Sequence, residues 1–270
     1  MDVFNIVKAA FKDLSEDNKI WLDKIISRVM DFRKTGVATA GYLMEPAIAN
    51  FISEITGYQC RQIGKEWYRN SSENEDDIVV FAVGTADSQI NEIIENRDFT
   101  KMIGLSLKTY GEGDLQVSTN KSNSLRLDCE KFGERKLDKK EISTLKNKKS
   151  FNNFKALNTI QILYQEPNGR KIVDYSYRVT AFNTFKACED IEHIEFIMRK
   201  KYGIYRFFNS NKDFMFDIRY GGKSANALQR GVWTQTKKVS NKYLEELVSR
   251  RKYTCDGGFL NKVLSEITKK

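Results

Sequence analysis

The sequence predicts an α/β protein in which helices flank a central mixed β-sheet. Three observations carry this. Residues 3 to 55 place apolar side chains at helical spacing, the middle of the chain turns to β-branched apolar runs, and helical patterning returns towards the C-terminal end. With 270 residues, 40% of them hydrophobic, the chain is long enough to bury a core without disulfide or metal staples.

The elements follow in order. Phe4, Val7, Ala10, Phe11 and Leu14, then Ile20, Leu22, Ile25, Ile26 and Val29, predict two amphipathic helices over 3–31, broken near Ser15 to Asn18 with Ser15 capping the second. Gly36 to Gly41 reads as a linker. A third helix is expected from about Tyr42 to Ile55, with Met44, Ile48, Phe51 and Ile52 on one face. Tyr58 to Tyr68 is a short strand or the start of a mixed segment, and the acidic run Glu73 to Asp77 is a solvated turn. Three strands are then expected at 77–84 (DIVVFAVG), 87–94 (DSQINEII) and 101–110 (KMIGLSLKTY). In the last, Ile103, Leu105 and Leu107 share one face while Ser106, Lys108 and Tyr110 project from the other.

Residues 111–151 are polar and lysine-rich, which predicts a long loop or a small helical excursion with a helix at Asp138 to Lys146. Strands at 156–165 and 171–180 flank the turn Pro167-Asn168-Gly169. Ile191, Ile194, Ile197 and Met198 suggest a helix over Phe185 to Lys201. Strands at 202–208 and 214–220 follow, then helices at Ser240 to Val248 and Phe259 to Ile267. The expected organisation is a helical front and first part of the core at 1–110, a polar insertion or linker at 111–155, and sheet completion, recognition and C-terminal helices at 156–270. One continuous domain remains the alternative.

Composition narrows the function classes. Residues 131–270 hold 30 Lys or Arg against 15 Asp or Glu, whereas residues 1–130 hold 15 against 21. A basic excess confined to one half suits a polyanionic partner, although a lysine-rich solvated surface gives the same count. Cys60, Cys129, Cys188 and Cys255 are scattered and His193 is the sole histidine, so no sulfur or imidazole cluster indicates zinc. The cysteine usage suits a reducing compartment. With no signal-peptide pattern and no long apolar span, a cytoplasmic location is expected.

Metal-assisted phosphodiester hydrolysis needs a carboxylate to hold a cation, further oxygen ligands, and a positive group near the attacked phosphate. Asp87, the carbonyl of Leu107 and Ser106 offer oxygens, and Lys108 offers the cation that orients water and steadies developing charge. The segment from Thr85-Ala86-Asp87 to Gly104-Leu-Ser-Leu-Lys-Thr-Tyr-Gly111 resembles the paired-strand core of the PD-(D/E)xK nuclease superfamily, especially type II restriction endonucleases. The resemblance implies a restriction-endonuclease-like core that uses Mg2+ to cut double-stranded DNA at a specific site, leaving 5′-phosphates. It assigns Asp87 to the first acidic position, Ser106 to the second and Lys108 to the lysine. Ala86 stands where the family has proline, and Ser106 stands where Asp or Glu is usual, which removes a charged ligand. The family also implies a glutamate on the preceding helix, for which Glu45 is the candidate; an ordinary helix glutamate is the competing reading. Asp77, which also opens an apolar strand, is the alternative to Asp87, the latter being favoured because its hairpin leads directly into Ser106-Leu-Lys108.

The recognition candidates lie in RYGGKSANALQRGVWTQ, residues 219–235. Lys223, Ser224, Asn226, Gln229 and Arg230 supply donors and acceptors for base edges, and Lys237 and Lys238 suit phosphates, unless this is a solvated loop anchored by Trp233. Lys146, Lys148 and Lys149 are further phosphate candidates, while Arg178 and Arg219 read equally as ion-pair residues. His193, Trp21 and Trp67 read as structural. The family further implies homodimers for many palindromic targets and a companion DNA methyltransferase. Two other classes stay open: a structure-specific DNA repair nuclease and a noncatalytic nucleic-acid-binding protein.

Overall fold

In the computed structural model the chain opens with two helices, α1 (Val3–Lys12) and α2 (Glu16–Lys34). The structure describes residues 2–34, 40–63, 77–96, 98, 102–111, 114–116, 120–165, 174–199, 202–220, 232–235 and 241–254. Asp2 caps α1 by accepting from the Phe4 N–H at 3.0 Å, and Ser15 Oγ accepts from the Asn18 N–H at 3.2 Å where α2 begins. Helix α3 (Ala40–Thr56) follows and ends at Gly57, whose φ of 72° is a left-handed conformation that costs glycine little.

Six strands form the larger sheet: β1 (Gln59–Gln62), β2 (Ile78–Phe81), β3 (Ile103–Gly111), β5 (Asn158–Gln165), β6 (Asp174–Asn183) and β11 (Leu244–Thr254), in the order β1-β2-β3-β5-β6-β11. Every pairing is antiparallel except β3 with β5. Parallel neighbours need a crossover, and residues between them supply α5 (Asn120–Glu130), α6 (Lys139–Lys146) and α7 (Lys149–Lys155). Helix α6 matches the expected one, with Asp138 accepting from the Glu141 N–H while Glu141 accepts from the Asp138 N–H, both at 2.9 Å. The expected loop or small excursion is thus three helices. Its apolar anchors, Leu125, Cys129, Ile142, Leu145, Phe151 and Phe154, are buried.

A second, antiparallel sheet joins β4 (Asp114–Gln116), β10 (Val232–Gln235), β9 (Phe214–Tyr220), β8 (Tyr202–Phe208) and β7 (His193–Arg199) in that order. The architecture is α/β, with a central mixed sheet flanked by helices.

Three expectations are corrected. Asp87 to Glu95 is a helix, α4, rather than a strand: Ile90, Ile93 and Ile94 recur at helical spacing and pack on Ile63, Val79 and Phe81. The helix expected over 185–201 stops as α8 (Thr184–Glu189) and continues as β7. Ile194 is buried there while Met198 is 61% exposed, so a single apolar stripe does not run through the segment. The stretch expected as a helix at 240–248 is a 3-10 turn (Asn241–Tyr243) followed by β11, because the edge of β6 offers an antiparallel partner from Leu244 onward. The helix expected at 259–267 lies outside the described residues.

The two faces of the larger sheet differ. Leu105, Leu107, Ile160, Ile162, Tyr177 and Val179 join residues of α1, α2 and α3 in one core. Near this face, Tyr177 Oη donates to Asp23 at 2.6 Å and Arg251 makes three bonds to the same carboxylate. On the other face, Val79 and Phe81 meet α4, and Phe182 belongs to a separate core built by α5 to α8 and β7 to β9. Between those apolar parts lies a row of buried polar side chains, Ser106, Thr159, Gln161 and Thr180.

Candidate functional site

The site forms where β1 ends and β2 begins. Ile78 to Phe81 are all buried, which fixes the start of β2 against β3, and Asp77 is the residue immediately before it. Its backbone is held from both sides: the Asp77 N–H donates to the Leu105 carbonyl at 3.0 Å, and its carbonyl accepts from the Ile63 N–H at 3.2 Å. The regular β2–β3 register ends at Ile78 opposite Leu105, and Asp77 shares that Leu105 carbonyl rather than continuing the ladder.

Three donors converge on one oxygen of this carboxylate. Asp77 Oδ2 accepts from the Leu107 N–H at 2.8 Å, Ser106 Oγ at 3.2 Å and Lys108 Nζ at 3.0 Å. The Lys108 and Asp77 side chains are 21% and 15% exposed, so the pair is shielded without being sealed from solvent. Such an ion pair is stronger than a surface one, and a charged acceptor strengthens each hydrogen bond. A strand residue directs its N–H and C=O to the same edge. The Leu107 carbonyl therefore faces the same edge of β3 as the amide that binds Asp77, at the level where β2 has ended.

Glu45 reaches this end of the sheet from α3. Its Oε2 accepts from Gln62 Nε2 at 2.7 Å, and Gln62 is the last residue of β1, paired with Ile78. Gln62 shares the face of Ile78, towards α1 to α3, whereas Ser106 and Lys108 leave the sheet by the opposite face. The Asp77 carboxylate, the Leu107 carbonyl edge, the Ser106 hydroxyl and the Lys108 ammonium thus gather at one end of the β1–β2–β3 meander, with Glu45 bonded to Gln62 on the other face of the sheet.

Asp87 is elsewhere. It sits in the first turn of α4, 77% exposed, and accepts from Arg61 Nη2 at 2.9 Å. The pairing with Ser106 and Lys108 expected of Asp87 is made by Asp77, because the segment between β2 and β3 is a helix rather than a strand. A charged residue in a helix's first turn offsets exposed amides, and its ion pair with Arg61 is a surface one.

The sequence signal for Asp77 was the acidic residue directly before IVVF together with the helical spacing of Ile90, Ile93 and Ile94. Gln161 lies in the middle of β5. It is fully buried, paired in register with Lys108 on one side and Thr180 on the other, and its Oε1 accepts from Thr180 Oγ1 at 3.1 Å.

The remaining candidates divide. Lys223, Ser224, Asn226, Gln229, Arg230, Lys237 and Lys238 lie outside the described residues, as do Trp67 and Cys255. Lys146 Nζ donates to the Glu189 carbonyl at 3.1 Å, and Arg178 lies 3.9 Å from Glu246. Trp21 packs on Phe51 with ring centroids 5.0 Å apart. His193 opens β7 rather than lying on a helix. Among the described residues no three or more His, Cys, Asp or Glu side chains form a metal-binding group, and no helix is long and apolar enough to cross a membrane.

The oxygen donors suit a hard divalent cation that is held by one or two carboxylates and keeps several waters. No known protein family, curated protein or solved structure matches the chain.

Proposed function

We propose that the chain is a Mg2+-dependent endonuclease that cuts double-stranded DNA at a specific site, in the manner of type II restriction endonucleases of the PD-(D/E)xK superfamily. The observation that carries this reading is the convergence of Ser106, the Leu107 amide and Lys108 on Asp77 Oδ2 across adjacent antiparallel strands. Asp77 takes the first acidic position of the motif in place of Asp87. The order of parts supports the same reading: α3 carrying Glu45, then β1, β2 and β3, with Asp77 opening the second strand and Ser106-Leu-Lys108 on the third.

In this account Asp77 and the Leu107 carbonyl would hold the cation, with Glu45 as second carboxylate and the Ser106 hydroxyl as a further oxygen beside it. Mg2+, when bound there, would supply Lewis-acid chemistry at the phosphate and activation of water. The chain's own work is positional. Asp77 fixes the Lys108 ammonium, and Lys108 orients the attacking water and stabilises negative charge that grows on the phosphate oxygens. Asp77 is itself oriented by the Leu107 amide and by backbone bonds to β1 and β3. The basic second half supplies attraction for the DNA backbone.

The test is digestion of a sequenced plasmid with Mg2+, with both strand breaks mapped. Discrete fragments with 5′-phosphates are expected, and Lys108→Ala should lower the cleavage rate by roughly 100-fold or more while leaving most DNA binding. Smearing or preference for branched DNA would favour a repair nuclease. Salt-sensitive binding with no cutting would favour a noncatalytic DNA-binding protein, and undiminished cleavage by Lys108→Ala would overturn the site.

A further inference from the structure

We propose that a cleft between α1, the start of β5 and the start of α8 binds a nucleobase: a neutral planar heterocycle whose edge meets Asn158 and Asn183 and whose face lies on Phe185. The cleft shares no residue with the Asp77–Lys108 site, and its occupancy is measured without a cleavage assay.

The cleft lies where an apolar ladder ends. Along β5, Ile162, Ile160 and Asn158 take the same face, and their β6 partners are Val179, Ala181 and Asn183. The first two pairs are buried in the core shared with α1 to α3, whereas the third is a pair of carboxamides, half-buried at the end of the sheet. Phe4, Asn5 and Lys8 of α1, with Lys155 and Phe185, wall the rest of a cavity of about 380 Å3. That volume falls in the range of pockets that take small ligands.

Both amides are oriented by the bonds they make. Asn183 Oδ1 caps α8 by accepting from the Lys186 N–H at 2.9 Å, and Asn158 Nδ2 donates to the Gly104 carbonyl at 3.4 Å. Turning either amide over would set donor against donor or acceptor against acceptor. Asn183 Nδ2 and Asn158 Oδ1 are therefore the groups left for a ligand, and neither bonds to another described residue. Directly opposed residues of paired strands have Cβ atoms about 5 Å apart, so this donor and acceptor stand side by side. The edge of a nucleobase offers a matching acceptor and donor. Phe185 supplies the face: it is 54% exposed, and Lys155 Nζ, 3.9 Å from the ring centroid, covers only one side of it. The charges beside the cleft are already matched, Lys155 to Glu189 at 3.0 Å and Lys8 to Glu245 at 2.9 Å. Cations engaged in this way favour a neutral heterocycle over a free anion.

The experiment is an NMR titration of the full-length chain with adenosine, guanosine, cytidine and thymidine, and in a second arm with a short single-stranded oligonucleotide. At least one nucleoside is expected to bind, with inorganic phosphate failing to displace it. Phe185→Ala, at an exposed position, should weaken that binding roughly 10-fold or more through lost stacking. Asn183→Asp keeps a capping oxygen for α8 but exchanges the ligand's donor for an acceptor, and should weaken binding by a similar factor while thermal unfolding stays near wild type. Nucleoside binding as tight as that of the oligonucleotide identifies a site for a free ligand. Oligonucleotide binding that is far tighter and still lost in Phe185→Ala identifies a base held within a strand; either result supports the cleft. Binding by neither nucleosides nor oligonucleotide, binding that both variants leave unchanged, or displacement of the nucleoside by phosphate overturns the proposal.

Discussion

Asp77 and Asp87 are ten positions apart, yet one carboxylate gathers three donors from β3 and the other meets a single arginine at the surface. The difference is one of backbone. Asp77 is threaded between Ile63 and Leu105, so its side chain has a fixed origin beside Lys108, while Asp87 rides on the open turn of α4. Ser106 and Lys108 were readable from the alternation of β3 alone, since strand geometry puts residues two apart on one face. Choosing their carboxylate required knowing that residues 87–95 are helical, which the spacing of Ile90, Ile93 and Ile94 implied but the adjacent β-branched runs obscured. The cysteines give a separate prediction at this scale. Burial pushes the Cys60 thiol up to about 11, and burial raises Cys129 and Cys188 as well. From an ordinary 9.0, the Cys60 shift leaves about 100-fold less thiolate at neutral pH. Alkylation of these three in the native protein should therefore be slow and should become fast on denaturation; rapid native labelling of Cys60 would contradict the packing of β1 on α3.

At the scale of elements, the C-terminal strand β11 was the least legible part. Its sequence, Leu-Glu-Glu-Leu-Val-Ser-Arg-Arg-Lys-Tyr-Thr, is rich in good helix formers, and pairing with the edge of β6 overrides that preference. Side chains fasten the strand to the helices: Lys8 and Lys12 reach Glu245 at 2.9 and 2.7 Å, and Arg251 binds Asp23 on α2 at 2.8 Å. Partial burial raises the pKa of Glu245, but the hydrogen bonds and charges of Lys12 and Lys8 outweigh it and hold the carboxyl below its usual range. A lowered folded-state pKa contributes stability that is full above the unfolded value, near 4.5, and is lost as pH falls through the folded value. Glu245→Gln should therefore cost about 0.5 to 1 kcal/mol at neutral pH and low salt. The gap should close below the folded-state pKa and shrink at high salt; thermal unfolding across pH checks it, and a gap that widens in acid would contradict the clamp.

Over the whole molecule, helices α1 to α3 pack one face of the larger sheet and the crossover helices build a second core with the smaller sheet. The general α/β plan was legible because the N-terminal helices and the strands at 103–111, 158–165, 202–208 and 214–220 obey simple periodicities. The second core was not. Residues 111–151 look polar in bulk, and their few apolar side chains become anchors only once α5, α6 and α7 stack them together. This division places the Asp77–Lys108 pair at the end of the meander, between an apolar helical layer and a polar strip running through Gln161 and Thr180. The most direct measurement compares Mg2+-dependent plasmid cleavage by Asp77→Asn and Asp87→Asn under identical conditions. Asp77→Asn is expected to lower the rate by roughly 100-fold or more, with Asp87→Asn close to wild type. Full cleavage by Asp77→Asn, or its loss in Asp87→Asn alone, would contradict the assignment of the site to Asp77.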